Sequence, residues 1–277
     1  MILTLNCSHG LDPSYNKADY LLRAAERLGY DFVQMYNPHH PPTHVLNIEP
    51  YQQFVKGSVW TGVWEIDVLC DRAAMNASDW VASDTIFIAV STLPKRLVGL
   101  GDPILLLQAC DPLLHRRIES IPQSFDFVLA GSMGINIYQE RERVYALMRE
   151  HFSFESFGKG HAPTQYVAYL NQARVQFIRS MNTTIADSEL AQRFFECLAI
   201  GPVLTNYAVD LQATGLVDGE DLLVYHNDEE MIALMHRLLD DPIYAQELAL
   251  NGRAKALKYH TYEHRLTTIL EASGVTR

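Results

Sequence analysis

The sequence predicts an α/β fold assembled from parallel βα units. Apolar runs of strand length alternate with amphipathic segments of helical period, glycine stands where several of those helices should stop, and no run approaches the length of a membrane span. Ile2–Asn6 reads as the first strand, and Ala18–Leu28 as a helix with Leu21, Leu22, Ala25 and Leu28 on one stripe and Gly29 as its stop. Asp31–Met35, Thr85–Val90 and Ile104–Gln108 supply further strands. The stretch between Pro38 and Asp84 resists assignment. It is Pro-rich at first, then carries Trp60, Trp64 and Trp80; for Trp60 and Trp64 core packing ranks ahead of stacking on an acceptor sugar or base.

A second α/β series begins near Phe125. Phe127–Ala130 reads as a strand running into Gly131-Ser132-Met133-Gly134, followed by a charged helix over Gln139–Arg149. Phe152–Phe157 and Val175–Arg179 are strands flanking a helix at Gln165–Asn171. Glu189–Ile200 reads as a helix ended by Gly201, and Pro202–Thr205 and Leu222–Tyr225 as the next strands. Asp228–Leu239 is a helix whose acidic first turn suits its dipole. Asp241-Pro242 opens another helix with Pro at its first position, and Tyr262 to about Ala272 forms the last. The expected boundary lies near Gln123, giving a compact N-terminal domain over 1–123 and a second over 124–277.

Composition narrows the function. The 277 residues are 48% hydrophobic, enough to bury one large core or two modest ones. Net charge is -11, and the acidity concentrates between Asp210 and Asp241, a surface that disfavours extended nucleic-acid binding. Against that background Arg141, Arg143, Lys159, Arg174, Arg179 and Arg193 form a locally cation-rich region suited to a small anionic ligand. Cys7, Cys70, Cys110 and Cys197 are widely spaced with no CxxC pair, which reads as reduced core thiols in a reducing, cytoplasmic compartment. Met1–Asn6 lacks a basic n-region, so it reads as a strand and not as a signal peptide. His39, His40 and His44 flank Pro41-Pro42, a constrained loop without a helical ligand face, and no metal site is expected. No basic amphipathic helix suggests a stable membrane anchor.

The segment Asp187–Thr205 carries the chemistry. Asp187 or Ser188 is placed to cap a helix whose first amides face a diphosphate, and Glu196, two turns on, to accept hydrogen bonds from the vicinal hydroxyls of a ribose. The same letters also describe an ordinary amphipathic helix with a buried Phe194-Phe195 pair and one exposed glutamate.

This segment resembles the C-terminal signature of the retaining GT-B glycosyltransferases, the group 1 branch that includes spore-maturation-like proteins. The likeness rests on Arg193, Phe195-Glu196, Leu198-Ala199, Gly201 and Val203-Leu204-Thr205. It runs on through Asp221–Tyr225, Asp228-Glu229-Glu230, Leu239–Pro242, Asn251-Gly252-Arg253, His260-Thr261-Tyr262 and Arg265. Upstream it takes in Gly131-Ser132, Arg141 or Arg143, and Phe157–Gly160, so that it spans roughly residues 125–273. The resemblance implies two Rossmann-like domains facing a central cleft, a nucleoside diphosphate sugar as donor substrate, no bound cofactor and no metal, and retention of anomeric configuration. It further implies that Glu196 binds the ribose, that Arg141, Arg143 and Lys159 neutralise the diphosphate, and that Gly131 and Ser132 line the strand end beside it. Arg193 is either a phosphate ligand or a surface cation. Where many retaining relatives carry a second glutamate, eight positions before the first, this chain has Ser188 with Glu189 beside it, and both stand as donor-site candidates.

The catalytic group is not assigned; His9, Asp111 and His115 are the candidates. His9 follows the first strand in a Gly-containing loop or a simple turn, and His115 faces either the cleft or solvent. The acceptor is likewise open among saccharides, lipid-linked glycans, proteins and a modified DNA base, the last disfavoured by net charge. Two other readings stay in play: an epimerase or hydrolase of the same fold using Asp111 and His115, and a non-catalytic nucleotide-sugar-binding module.

Overall fold

The computed structural model describes residues 1–7, 17–48, 54–65, 81–89, 101–130, 139–158, 160–179 and 190–276. The chain forms two compact units, Met1–Gln108 with Thr261–Arg277, and Ala109–His260. The division falls short of the Gln123 expected from the sequence, and the last helix returns to the first unit.

The first unit is a parallel sheet of β1 (Leu3–Cys7), β2 (Val33–Met35), β3 (His44–Ile48), β4 (Trp60–Glu65), β5 (Thr85–Ile88) and β6 (Ile104–Leu105), in the order β2-β1-β3-β4-β5-β6. The two central strands, β3 and β4, come from the stretch that resisted assignment. β3 is buried along its whole length, including His44, so its row of side chains does not alternate with solvent as a half-exposed strand would. Asn47 at 0% exposure makes such a strand tolerable. Its amide accepts from Asn6 Nδ2 (2.8 Å) and the Val55 amide (2.9 Å) and donates to the Val55 and Gly62 carbonyls (2.9 and 3.3 Å). Trp60 and Trp64 are core residues, their indole N–H groups bound to Thr85 Oγ1 and the Leu106 carbonyl. Helix α1 (Lys17–Leu28) ends at Gly29, whose φ of 69° is the left-handed turn anticipated there.

The second unit contains β7 (Phe127–Ala130) paired in parallel with β8 (Phe154–Gly158), and β9 (Gln176–Ile178), β10 (Val203–Asn206) and β11 (Leu223–Tyr225) in a parallel set ordered β11-β10-β9. The two sets adjoin where Arg174 and Val175 donate to the Phe125 and Asp126 carbonyls (2.9 Å each). Across that junction the order is β8-β7-β9-β10-β11. Its helices are α2 (Gln139–His151), α3 (Pro163–Leu170), α4 (Gln192–Leu198), α5 (Asp228–Asp240) and α6 (Pro242–Tyr259). Phe127, Leu129, Tyr145, Phe177 and Leu223 form the centre of its core, with Met231 and Met235 of α5 closing one face.

Helix α7 (Tyr262–Ser273) belongs to the first unit for a packing reason. Its stripe of Tyr262, Leu266 and Ile269 is fully buried, Tyr262 stacks on Tyr20 of α1 at 4.9 Å, and Glu263 pairs with Arg27 at 2.5 Å. Arg265 donates to the carbonyls of Leu107 and Gln108 (2.6 and 3.0 Å). The apolar stripe was legible in the sequence; the sheet it covers was not.

Candidate functional site

In doubly wound parallel sheets the crevice for a ligand opens at the carboxyl ends of the strands, where the strand order reverses. In the second unit that point lies between β7 and β9. Arg193 and Arg141 reach these strand ends, and Arg179 follows β9. Arg193, on α4, donates through Nη1 to the carbonyl of Ala130, the last residue of β7 (3.0 Å). Arg141, in the first turn of α2, donates through Nη2 to the carbonyl of Arg179, just past β9 (3.4 Å). The Arg179 guanidinium acts on Tyr225 at the end of β11 and lies 3.7 Å from Glu140. All three are half-buried, so each cation is held by protein on one side. Burial drives the Tyr145 hydroxyl above its ordinary range, with Arg193 and Arg141 both opposing. Burial also raises Tyr225, against the pull of Arg179.

Glu196 lies one helical turn beyond Arg193 and is 2% exposed. Its carboxylate sits in a built cage. Oε1 accepts from Gln192 Nε2 (2.6 Å) and faces His115 Nε2 (3.3 Å), while Oε2 accepts from the Tyr166 hydroxyl of α3 (2.9 Å). A carboxylate offers about four lone-pair positions. Gln192 takes one on Oε1 and Tyr166 one on Oε2, the His115 approach lacks hydrogen-bond geometry, and an acceptor position on Oε2 stays open. Tyr166 keeps its proton and its donor role, because burial of the hydroxyl and then the adjacent Glu196 charge push its pKa far up. Beside Glu196, burial raises the Cys197 thiol as well. That sulfur is a core group and not a reactive thiolate.

Several expectations change. The helix bearing Glu196 begins at Gln192, not at Glu189: Leu190 is fully buried and Ala191 has extended backbone (φ −61°, ψ 157°) with no side-chain cap. Glu196 therefore follows the helix start by about one turn, and it is buried, unlike the exposed glutamate of a plain amphipathic helix. Arg143, expected on a diphosphate, forms a surface triad. It donates to Glu140 (2.8 and 3.0 Å) and to Asp228 (2.7 and 3.0 Å), so its charge is already matched by two carboxylates. Hydrogen bonds from Arg143 hold both carboxyls below their ordinary range. Asp111 and His115, expected at an open catalytic position, are 1% and 0% exposed. His9, Gly131, Ser132, Lys159, Ser188 and Glu189 lie outside the described residues. Among the described residues no group of His, Cys, Asp and Glu is placed to hold a metal; His44 is buried in β3 and His39 and His40 are exposed. No helix among them is long and apolar enough to cross a membrane.

Three members of the site were not singled out from sequence. Gln192 stands four residues before Glu196, so helical spacing alone had the information. Arg179 was one of several cations in a rich region, and only the strand order distinguishes it. Tyr166 comes from a different element, and no sequence signal links it to Glu196.

Cations at the switch point of a parallel sheet, next to a caged carboxylate, belong to an α/β unit of Rossmann type. The profile of the family described as "Glycosyl transferase-like" matches residues 112–271, nearly the stretch in which the resemblance was read. The chain belongs to that family and is an enzyme of the glycosyltransferase class. Solved structures agree on the fold. Sucrose-phosphate synthase from Thermosynechococcus elongatus superposes with a TM-score of 0.65 at 13% identity, covering 98% of each chain. HepE from Anabaena, in complex with UDP and glucose, gives 0.64 at 10% identity, over 98% of this chain and 99% of the other. The DNA-modifying β-glucosyltransferase, solved with and without uridine diphosphoglucose, gives 0.63 at 11% identity, over 99% and 100%. The fold is GT-B. No curated protein sequence matches the chain significantly.

Proposed function

We propose that this chain moves a glycosyl group from a nucleoside diphosphate sugar to an acceptor hydroxyl, with retention and without a metal. In this reading the second unit binds the donor and the first supplies acceptor contacts. One observation carries it: Arg193, one helical turn from Glu196, and Arg141 reach the carboxyl ends of β7 and β9, and Arg179 follows β9 directly. A leaving diphosphate gains negative charge as the glycosidic bond breaks, and guanidinium groups already held in place stabilise that charge without reorganising. The remaining acceptor position on Glu196 Oε2 suits one ribose hydroxyl. Neighbours crystallised with UDP support a nucleoside diphosphate as the common ligand. Retention rests on the sequence resemblance alone. Donor roles for Gly131, Ser132, Lys159, Ser188 and Glu189 belong to the same proposal. The acidic surface weighs against DNA as acceptor, and Asp111 and His115, on which an epimerase or hydrolase reading would draw, are tied to each other in one turn, the Asp111 amide donating to His115 Nδ1.

The test is a thermal-shift screen with UDP, ADP and GDP, followed by incubation with the matching sugar nucleotides in EDTA and in manganese. Stabilisation by one diphosphate, lost in Arg179→Ala and Arg193→Ala, and turnover that persists in EDTA are expected. An undiminished shift in both variants would remove the assigned site; turnover only with manganese would remove the metal-independent step.

A further inference from the structure

His115 has no part in the chemistry just described, yet it is fully buried against the carboxylate that the donor-site reading depends on. Its setting is a tight turn at Asp111–His115. The Asp111 carbonyl accepts from the amides of Leu114 and His115 (3.2 and 2.8 Å), and the Asp111 carboxylate accepts from the Leu113 amide (3.0 Å). Within that turn the Asp111 amide donates to His115 Nδ1 at 2.9 Å. A ring nitrogen that accepts from a backbone N–H carries no proton, so the imidazole proton resides on Nε2. Nε2 is the atom that faces Glu196 Oε1, 3.3 Å away. The turn thus decides the tautomer, and the tautomer turns the Nε2–H side of the ring toward the carboxylate, a close contact at 3.3 Å without the alignment of a hydrogen bond.

We infer that His115 is a positioning residue for donor binding: from the Asp111–His115 turn it holds Glu196 Oε1, so that Oε2, fixed on its other side by Tyr166, keeps one lone pair for a ribose hydroxyl. This rests on the donor-site reading above. The division of labour follows from the cage. Gln192 is on the same helix as Glu196 and moves with it, whereas His115 and Tyr166 come from separate elements and fix the carboxylate in the frame of the unit. Without the imidazole packed against Oε1, the carboxylate is free to rotate toward the space the ring leaves. Ribose recognition would then weaken, while the diphosphate contacts of Arg141, Arg179 and Arg193 stay as they are. His115 Nδ1 accepts from the Asp111 amide and Nε2 faces Glu196, so both ring nitrogens are turned to protein groups, which separates this role from acid–base catalysis.

The experiment compares three probes on wild type, His115→Leu, His115→Asn and His115→Gln: the best-stabilising of UDP, ADP and GDP, its 2′,3′-dideoxy analogue, and inorganic pyrophosphate. Dissociation constants are measured by calorimetry, with melting temperature as a separate reading of the fold. Wild type should prefer the ribose form over the dideoxy form by about tenfold, the value of one hydrogen bond to a charged group. His115→Leu removes the Nε2–H contact and His115→Asn is too short to reach, so both should lose most of that preference while binding pyrophosphate as wild type does. His115→Gln, whose amide nitrogen takes the place of Nε2, should restore it; it also serves if the other two fold poorly. Equal weakening toward all three probes, or an undiminished preference in Leu and Asn, overturns the inference. Glu196→Gln tells that failure from a failure of the donor site: loss of ribose preference there, with none in the His115 variants, refutes the positioning role alone. A wild type without ribose preference refutes the Glu196 reading and takes the positioning role with it.

Discussion

Gly252 offers a stringent test of how the Glu196 helix is seated, because two physical effects of opposite sign compete at one methyl group. Gly252 lies inside α6, where replacing glycine by alanine favours the helix by about 1 kcal/mol. A Cβ there, however, would stand 2.4 Å from the Asp221 carbonyl oxygen and 2.7 Å from Leu198 Cδ1, at the end of α4. Leu198 has alternative rotamers, but the carbonyl does not give way easily. Asp221 is buried, and its carboxylate is held by the Val217 amide (2.8 Å) and Lys255 Nζ (2.5 Å). Overpacking of this kind costs about 1–3 kcal/mol, and a collision with backbone belongs at the upper end. Gly252→Ala should therefore be destabilised by about 1–2 kcal/mol net, a fall in melting temperature of roughly 2–8 °C for a unit of this size. Scanning calorimetry measures the loss, and hydrogen exchange should locate it in α4, α6 and the Val217–Leu222 segment. A variant as stable as wild type, or more stable, would mean that helix propensity dominates and that the close approach of α6 to Asp221 is not as described.

Two further outcomes follow from the charges. Arg143→Ala should cost no more than about 1 kcal/mol and leave diphosphate affinity within twofold, because an exposed triad is screened by solvent; Arg179→Ala should weaken nucleoside diphosphate and pyrophosphate alike by about tenfold. A large binding defect in Arg143→Ala would return that residue to the site. Stability should also fall on the alkaline side. Tyr145, Tyr166, Tyr225 and Cys197 all hold their protons more tightly when folded, chiefly through burial. Their contribution is complete below the unfolded values, 9.0 for Cys197 and 10.0 for the tyrosines, and is lost as pH rises through and beyond them. Tyr145→Phe should move the midpoint of alkaline unfolding upward; an unchanged midpoint would show that its proton is not retained.

Much of the second unit was legible one element at a time. Phe127–Ala130 is a run of four buried residues, and the acidic start and apolar stripe of α5 mark a helix without reference to anything else. Glu196 also stood out, because its place in a glycosyltransferase-like pattern is a property of order along the chain. β3 and β4 were missed since each lies in the middle of a sheet. Buried on both faces, such strands lose the alternation that local patterning reads, and β3 includes an asparagine that only tertiary hydrogen bonds make acceptable.

Sequence by itself determined the α/β class, the family, and most of the helices and strands, all of which depend on neighbours along the chain. Tertiary structure alone decided which arginine serves which partner, where α7 packs, and that His115 and Tyr166 cage Glu196. The physical reason is that burial and charge pairing are set by groups distant in sequence. Arg143 and Arg179 are equally basic as letters; one faces two surface carboxylates and the other stands at the end of a central strand.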